Sequence, residues 1–328
     1  MKLTVDKNTL AAAMKNAAKI ANPKATIPIL SHVAIDFDGE TVTITANDSS
    51  RTYSERFAAT GEAGQCTIEA AKLARAVAGM KSGDVELTES QIKQGRSKIK
   101  LESRNYSEFP QPDYEEAEDC GITAAQLKDA ISEVAHALPT KDVRPMLNGV
   151  HLCEGHAVAT DGLKLAYCEL GYTGVSIIIP AETVRQIPDV EGRVLVSDKQ
   201  LIINGERHRY TSNLIEQKYP DWKRFIPTEF KWECEVTASD LSDAIKTAQI
   251  GGDSIRFDAA NGEISIYNDK AEAVISEVFE GELKSAFFAQ YMIDAINASG
   301  AGEVKVQIGT GRGEALINGR FLVMPVKL

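Results

Sequence analysis

The strongest constraint on the fold is a helical phrase that the chain repeats three times. The copies read LTVDKNTLAAAMKNAA from Leu3, GITAAQLKDAISEVA from Gly121 and EVTASDLSDAIKTA from Glu235. In each copy, apolar residues recur at spacings of three and four, which indicates one buried face of a helix. Because the copies are separated by the length of a small domain, the repeat predicts tandem domains rather than a solenoid of short turns.

The residues after each helical phrase also follow one scheme. Alternating apolar and polar residues predict three antiparallel strands, and a second helix follows near Ile68, Ile179 and Phe287. Three more strands close each copy, so every domain reads β-α-βββ twice. We therefore predict an α+β fold of three similar domains, each a duplicated β-α-βββ unit with two helices packed on antiparallel sheets. The predicted domains are 1–116, 117–229 and 230–328.

The middle domain departs from this scheme at one position. Pro188 falls inside its second predicted helix, where it cannot donate a backbone hydrogen bond and its ring clashes with the preceding turn. We expect that helix to end early.

Composition bounds the class of protein. The chain has 328 residues, of which 43% are apolar and 25% charged, and its formal net charge is −11. A soluble folded protein is expected, since no apolar run approaches the ~20 residues of a membrane span. The five cysteines are scattered and form no CxxC pair, which favours reduced thiols and a cytoplasmic location.

Positive charge concentrates on the predicted helices and nearby loops, although the chain as a whole is acidic. Three tandem domains form an arc, and two chains meeting head to tail would close a ring with two-fold symmetry. A basic inner wall would then hold double-stranded DNA through phosphate contacts that carry no sequence information. The residues predicted to make these contacts are Lys15, Lys24, Lys72, Arg75, Lys128, Lys141, Arg144 and Arg185.

Several motifs together carry a family resemblance. They are IPIL at Ile27, DVRPMLNG at Asp142, VATDGLKLA at Val158, SIIIP at Ser176, YPDWKRFIP at Tyr219 and VMPVKL at Val323. In this order, over nearly the whole chain, they resemble the bacterial sliding clamp, the processivity subunit of the replicative DNA polymerase. The resemblance implies a homodimeric, non-catalytic ring around duplex DNA that needs no cofactor and no metal. Its subunit contacts would lie near residues 98–106 and 271–279.

The resemblance also implies a pocket between the second and third domains that binds short peptides of partner proteins. Those partners would be the replicative polymerase, the clamp loader and other replication and repair proteins. Aliphatic walls with a few polar groups suit such a pocket, and methionine adapts to different anchors. The matching residues are Leu147, Thr160, Gly162, Leu163, Lys164, Leu165, Pro220, Arg224, Phe225, Tyr291, Leu322, Val323, Met324, Pro325 and Val326.

The chain departs from the family pattern at three places. Leu163 and Lys164 stand where a basic pair is usual, and Phe288 stands where a polar residue is common. Pro145 and Met146 replace two aromatic residues that often touch DNA. These departures leave open the peptide preference, and also an alternative function: a clamp-like scaffold or decoy that binds replication proteins without encircling DNA.

An enzyme is the other class to weigh. His151, Cys153 and His156 lie close together and invite a zinc hypothesis, but no second ligand cluster of fitting spacing is near. Asp48, Asp161 and Asp269 recur once per domain, and we interpret them as turn residues rather than catalytic carboxylates.

Overall fold

The computed structural model describes residues 1–300 and 302–327, which divide into two compact units. Unit 1 comprises Met1–Leu127 and Tyr172–Ile215. Unit 2 comprises Lys128–Gly171 and the described residues from Glu216 onward.

The chain order of elements confirms the predicted α+β scheme. Over the described residues, a module of the form β-α-βββ occurs six times, with two short additional strands in the second module. The first module consists of β1 (Lys2–Asp6), α1 (Lys7–Ile20), β2 (His32–Phe37), β3 (Thr41–Asn47) and β4 (Arg51–Ala58). The second consists of β5 (Thr60–Glu62), β6 (Gly64–Glu69), α2 (Ala70–Ala78), β7 (Asp84–Thr88), β8 (Gln91–Gln94), β9 (Ser97–Lys100) and β10 (Ser103–Arg104).

The middle two modules repeat this order. The third consists of β11 (Glu118–Thr123), α3 (Ala124–Val134), β12 (Gly149–Cys153), β13 (His156–Thr160) and β14 (Lys164–Glu169). The fourth consists of β15 (Ile177–Pro180), α4 (Ala181–Gln186), β16 (Arg193–Val196), β17 (Gln200–Asn204) and β18 (His208–Asn213). As expected, α4 is short and ends before Pro188.

The last two modules complete the chain. The fifth consists of β19 (Phe230–Thr237), α5 (Ala238–Gln249), β20 (Ser254–Ala260), β21 (Glu263–Tyr267) and β22 (Glu272–Ser276). The sixth consists of β23 (Leu283–Phe288), α6 (Ala289–Ser299), β24 (Glu303–Gly309), β25 (Ala315–Ile317) and β26 (Phe321–Val323).

The helices follow from the repeated apolar face. In α1, Leu10, Met14 and Ala17 are buried, and the Asp6 carboxylate caps the first turn by accepting from the backbone N–H groups of Asn8 and Thr9. The corresponding apolar residues of α3 and α5 are buried in the same way. Each helix therefore packs one face on sheet and exposes the other.

All sheets are antiparallel within each unit. In unit 1, one sheet has the strand order β5-β1-β7-β8-β9, and the other has the order β10-β6-β2-β3-β4-β18-β17-β16-β11. In unit 2, one sheet contains the order β12-β13-β14-β26-β25-β24-β19, and the other has the order β22-β21-β20-β23.

Two ladders inside these sheets join modules that are distant in sequence. In unit 1, β4 pairs with β18, so that Arg51 faces Ser212 and Thr52 faces Thr211. In unit 2, β14 pairs with β26, and the opposed residues are Lys164–Val323 and Leu165–Leu322.

These two junctions have the same register. Arg51 and Lys164 each begin their strand, and each carbonyl accepts a hydrogen bond from the backbone N–H of an aspartate three residues earlier, Asp48 or Asp161. Both aspartates also bind the following turn through their side chains. The turn interpretation of these two aspartates is therefore confirmed.

Asp269 also lies in the turn before the next strand, but the residue equivalent to Asp48 and Asp161 is its neighbour Asn268. In the third copy, Asn268, not Asp269, donates its backbone N–H to the Ala271 carbonyl and accepts from the N–H groups of Lys270 and Ala271. The amide oxygen of asparagine closes this turn as a carboxylate does. Asp269 instead pairs with Arg256 at 2.9 Å between Oδ1 and Nη1.

Strands β9 and β22 are two of the edge strands of the sheets. Strand β9 is the last strand of its sheet in unit 1, and β22 is the last strand of its sheet in unit 2. Both carry exposed aliphatic side chains: Ile99 is 38% exposed and Val274 is 51% exposed.

Candidate functional site

Unit 2 contains a mainly apolar pocket of about 250 Å³ beside the β14–β26 junction. Its walls come from four segments: the turn before β12, the β13–β14 hairpin, the segment after Tyr219, and β26 with the residue that follows it. The lining residues are Arg144, Leu147, Thr160, Gly162, Leu163, Lys164, Leu165, Tyr219, Pro220, Trp222, Phe225, Leu322 and Met324.

The first wall is a loop held by amide and carboxylate hydrogen bonds. The Asn148 side chain accepts from the Asp142 N–H and donates to the Asp142 carbonyl, which closes the loop. Within it, Arg144 donates to both carboxylate oxygens of Asp142 and to the Asp161 carbonyl at 3.1 Å. These hydrogen bonds lower the pKa of Asp142 to about 2. The loop thus presents an exposed arginine at the rim and the buried Leu147 side chain at the floor.

The second wall is the hairpin turn from Thr160 to Lys164. Asp161 Oδ1 accepts from the N–H groups of Leu163 and Lys164, and Thr160 Oγ1 accepts from the Gly162 N–H. Gly162 has φ +93°, and a Cβ there would lie 2.9 Å from Arg144 Nη2. Glycine therefore fits the backbone conformation and leaves room for the arginine. The turn exposes 47% of Leu163 at the mouth of the pocket.

An ion pair with the partly exposed Asp294 fixes the buried Lys164 side chain. Its Nζ lies 2.9 Å from Asp294 Oδ2 on α6 and 4.6 Å from the centre of the Tyr291 ring. His136 lies near this pair, and burial followed by the charge of Lys164 lowers its pKa to about 4. The charge of Lys164 is therefore compensated by α6 and does not face the pocket unpaired.

Aromatic rings form the third wall. Tyr219 stacks on His151 with 4.2 Å between ring centres, and Trp222 packs on Tyr167 at 4.9 Å. Phe225, at the end of the same segment, is 40% exposed. This wall offers wide, rigid contact area, which is typical of surfaces that bind peptides.

The fourth wall pairs with its neighbours through the backbone. Leu322 faces Leu165 across the ladder, and the Met324 N–H donates to the Leu163 carbonyl at 2.8 Å. Two residues later, the Val326 N–H donates to the Ala286 carbonyl at 2.8 Å. The half-buried Met324 side chain therefore closes the pocket opposite the aromatic wall.

Ten of the predicted peptide-binding residues line this pocket: Leu147, Thr160, Gly162, Leu163, Lys164, Leu165, Pro220, Phe225, Leu322 and Met324. The other predicted residues lie around it. Arg224 pairs with Asp221 in an exposed position, Tyr291 stands under Lys164, and Val323 is buried in the β26 ladder. Pro325 and Val326 follow Met324 outside the lining.

Three lining residues were not predicted as such. Arg144, which is predicted to contact DNA, also lines the rim of this pocket. Tyr219 and Trp222 frame Pro220 in the motif YPDWKRFIP, and their bulk beside a proline is the signal that could have identified them.

The predicted DNA-binding residues divide between the two units. Lys15 on α1, Lys24 in the loop after it and Arg185 on α4 are exposed in unit 1, and Lys141 is exposed in unit 2. No described carboxylate lies within 4.0 Å of these four side chains. On α2, Arg75 is exposed and Lys72 lies 3.6 Å from Glu102. Lys128 is half-buried on α3.

Metal ligands, thiols and apolar helices are three further features of the described residues. Across 1–300 and 302–327, no three His, Cys, Asp or Glu side chains group closely enough to hold a metal ion. All five cysteines are buried and free, and burial raises the pKa of the Cys66 thiol to about 12 and that of Cys168 to about 11. In the same ranges, no helix combines the length and apolar character needed to cross a bilayer.

Comparison with known proteins identifies the family. Residues 1–113 match the DNA polymerase III beta subunit N-terminal domain, and residues 121–221 match the central domain of the same subunit. The chain belongs to the bacterial DNA polymerase III beta subunit family, the sliding clamps. Sliding clamps from Vibrio cholerae and Pseudomonas putida are 24% and 25% identical to it, each over the full length of both chains.

Solved clamp structures share the fold. The DNA polymerase III subunit beta of Pseudomonas aeruginosa superposes with a TM-score of 0.90 at 23% identity, covering both chains completely. The beta clamp of Helicobacter pylori bound to a DNA ligase peptide superposes with a TM-score of 0.87 at 20% identity, again over both complete chains.

Proposed function

We propose that this protein works as a homodimeric sliding clamp that encircles duplex DNA. The ring tethers the replicative polymerase, the clamp loader and other replication and repair proteins, and it catalyses no reaction itself. The proposal rests on a module that occurs six times over the described residues and on two internal ladders that share the same register. It also rests on the free edges of strands β9 and β22. A free edge strand is a template for another chain, and pairing removes its unpaired backbone groups.

We divide the chain into three clamp domains of two modules each, 1–116, 117–229 and 230–328. The matched family domains, 1–113 and 121–221, support these boundaries. The two compact units differ from them, because a continuous sheet joins modules of neighbouring domains in unit 1 through β4 and β18.

Duplex DNA is the proposed ligand of the helix surfaces. Lys15, Lys24, Lys141 and Arg185 are exposed without an ion-pair partner among the described residues, so their charge is available to phosphates. The same set includes four residues that should contribute less to DNA binding: Lys72, Arg75, Lys128 and Arg144. Lys72 pairs with Glu102, and Arg144 pairs with Asp142. Contacts of this kind weaken steeply as salt rises, because binding releases counterions.

The unit 2 pocket is the proposed partner site. Its walls are largely aliphatic and aromatic, and its volume of about 250 Å³ suits one or two apolar side chains of a short extended peptide. The DNA ligase peptide bound by the Helicobacter pylori clamp supports a peptide ligand for this fold. The all-buried free cysteines support a reducing, cytoplasmic setting.

Retention on circular DNA tests the ring directly. The protein is assembled on nicked circular duplex with a bacterial clamp loader and ATP, isolated by gel filtration, and then exposed to a restriction enzyme that linearises the circle. A ring stays on the circle at moderate salt and slides off the linear product. Equal retention on circular and linear DNA would favour the scaffold alternative. So would the absence of retention on either form, if a polymerase peptide still binds the pocket.

A charge-reversal pair sharpens the same assay. Lys24→Glu with Lys141→Glu should reduce loading or retention on the circle, since two unpaired cations become anions facing phosphate. Lys231→Glu, on an exposed position of β19, is the matched control and should leave retention unchanged.

A further inference from the structure

The turn between β24 and β25 is rich in glycine and lies beside the aromatic end of the unit 2 pocket. It reads GTGRGE from Gly309. The Thr310 N–H donates to the Glu229 carbonyl at 3.1 Å, and a Cβ on Gly309 would lie 2.9 Å from Pro227 Cβ. The turn is therefore packed closely against the segment that follows Phe225 in the chain.

A carboxylate of the turn itself accepts from its backbone. Glu314 is 7% exposed, and its Oε2 accepts from the Arg312 N–H at 2.8 Å. Gly313 has φ +80°, a conformation that glycine adopts at low cost. Glycine-rich turns of this kind can bind phosphate through backbone N–H groups, but a carboxylate here repels a second anion. The geometry of the turn instead fixes the backbone at Arg312.

The guanidinium of Arg312 lies over the aromatic ring at the end of the pocket. Its Cζ is 5.8 Å from the centre of the Phe225 ring, within the range of a cation–π contact. Phe225 lines the pocket and is 40% exposed, and Arg312 is exposed as well. The two side chains therefore form one surface at the rim, apolar towards the pocket and cationic beyond it.

The charge of Arg312 differs from that of two other cations at the pocket. Arg144 pairs with Asp142 at 2.8 Å, and Arg224 pairs with Asp221 at 2.6 Å. For Arg312, no carboxylate oxygen of residues 1–300 and 302–327 lies within 4.0 Å of a guanidinium nitrogen. A ligand at this rim would therefore meet an uncompensated positive charge.

Resting on the proposed partner site, we propose that Arg312 binds an acidic side chain of the partner peptide next to the apolar residue that enters the pocket. An extended peptide advances about 3.3 Å per residue, and the guanidinium lies 5.8 Å from the Phe225 ring centre. The acidic residue therefore stands one or two positions from the apolar one. Its carboxylate can accept two parallel hydrogen bonds from the guanidinium, which gives this end of the pocket a charge preference.

Unit 1 offers a matched control for the charge. The turn between β16 and β17 holds the same place in its module, and the Ser197 N–H closes it by donating to the Gln200 carbonyl. This turn carries the exposed Lys199. Lys199→Glu changes the net charge as much as Arg312→Glu does, but it lies in unit 1, whereas the pocket belongs to unit 2.

A peptide scan tests the preference. A fluorescein-labelled polymerase peptide is made with aspartate, asparagine or lysine at each position that flanks its apolar residues, and affinity is measured by anisotropy at low salt. At one flanking position, the aspartate peptide should bind about fivefold more tightly than the lysine peptide, with the asparagine peptide between them. The difference should shrink as the salt concentration rises.

Variants of the chain assign that preference to one residue. Arg312→Glu should reverse the order of the aspartate and lysine peptides, Arg312→Gln should abolish the difference, and Lys199→Glu should leave it unchanged. All three positions are exposed, and an unchanged unfolding temperature is the folding control.

The outcomes separate this proposal from the partner site on which it rests. If no flanking position distinguishes aspartate from lysine, or if the order survives in Arg312→Glu, the role of Arg312 is wrong while the pocket stands. If no peptide of the scan binds the unmodified chain, the proposed partner site itself fails.

Discussion

The junctions of unit 1 and unit 2 share a backbone register and differ in chemistry. Where unit 2 has Leu165 opposite Leu322, unit 1 has Thr52 opposite Thr211. Beside the unit 1 ladder lies a polar cleft of about 460 Å³ whose lining includes Ser50, Arg51 and Glu182, whereas the unit 2 pocket is smaller and mainly apolar. The repeated fold therefore supplies the geometry of a groove, and a few side chains at equivalent positions decide whether its walls are polar or apolar.

A charge placed on the apolar wall of the pocket should have the strongest effect on peptide affinity. Met324→Asp should weaken binding of a clamp-binding peptide about 100-fold or more, because a carboxylate would be desolvated among Leu322, Leu165 and the bound side chain. Lys327→Asp, exposed in the same segment, should change affinity little. Fluorescence anisotropy of a labelled polymerase peptide measures both. Unchanged affinity in Met324→Asp would remove the pocket assignment, provided the variant still dimerises.

Two strand-to-helix contacts lie beside the junctions, Arg51 to Gln186 of α4 in unit 1 and Lys164 to Asp294 of α6 in unit 2. Removing the helix residue of each contact should have different costs, because the remaining charges are balanced differently. Asp294→Ala leaves Lys164 buried without its carboxylate and should destabilise unit 2 by ~3 kcal/mol. Gln186→Ala should cost unit 1 only ~1 kcal/mol, since Arg51 keeps Asp48 and Glu182.

Two probes read these effects separately. Both tryptophans, Trp222 and Trp232, belong to unit 2, so their fluorescence during urea unfolding reports that unit alone. Hydrogen exchange of β4 amides reports unit 1. Equal losses in the two variants would contradict the assigned difference.

The turns before the two ladders allow a smaller test. Gly162→Ala should destabilise unit 2 by ~1–2 kcal/mol, because its φ of +93° disfavours a Cβ, and the new methyl group would push Arg144 from the Asp161 carbonyl. The equivalent residue in unit 1, Ser49, already has φ 77°. Ser49→Gly should change stability by no more than ~0.5 kcal/mol, because strain relief and added chain entropy offset each other. Urea midpoints for both variants make the comparison, and a neutral Gly162→Ala would refute it.

The weakest of these effects should be the loss of loop stability when Asp142 is protonated at low pH. The folded pKa of Asp142 lies at about 2, below its ordinary value of 3.8, because Arg144 donates to the ionised carboxylate. A lowered folded pKa stabilises the loop fully above about pH 4, and this contribution is lost as the pH falls from 3.8 towards 2. A carboxyl NMR titration should give a midpoint near 2 for Asp142, rising towards 3.8 in Arg144→Ala. A midpoint that Arg144→Ala leaves in place would show that the arginine is not the cause.

Much of the fold was readable from the sequence because the modules repeat one apolar pattern. The order of elements and the early end of α4 before Pro188 follow from that pattern and from proline chemistry. The sequence predicts the third turn but does not show that Asn268 closes it, because Asn268 and Asp269 are adjacent and both suit a turn, and only the hydrogen bonds distinguish them.

The site was less fully predictable, because it depends on contacts between distant segments. Lys164 could be placed near the pocket, but its ion pair with Asp294 requires the packing of α6 beside β14. The charge of Arg144 suggests a DNA contact, but its place on the pocket rim depends on its hydrogen bond to the Asp161 carbonyl, which comes from another segment. Tyr219 and Trp222 were missed because stacking partners such as His151 and Tyr167 come from other strands.

The ladder between β14 and β26 has a consequence for assembly. The pocket draws residues 144–165 and 322–324 together, so it exists only after a long-range pairing that folding chains form slowly. A ligand that binds only this paired state stabilises unit 2 by mass action. Proteins that bind this pocket would therefore bind and stabilise folded chains, and would not bind chains whose last strand has not yet paired with β14.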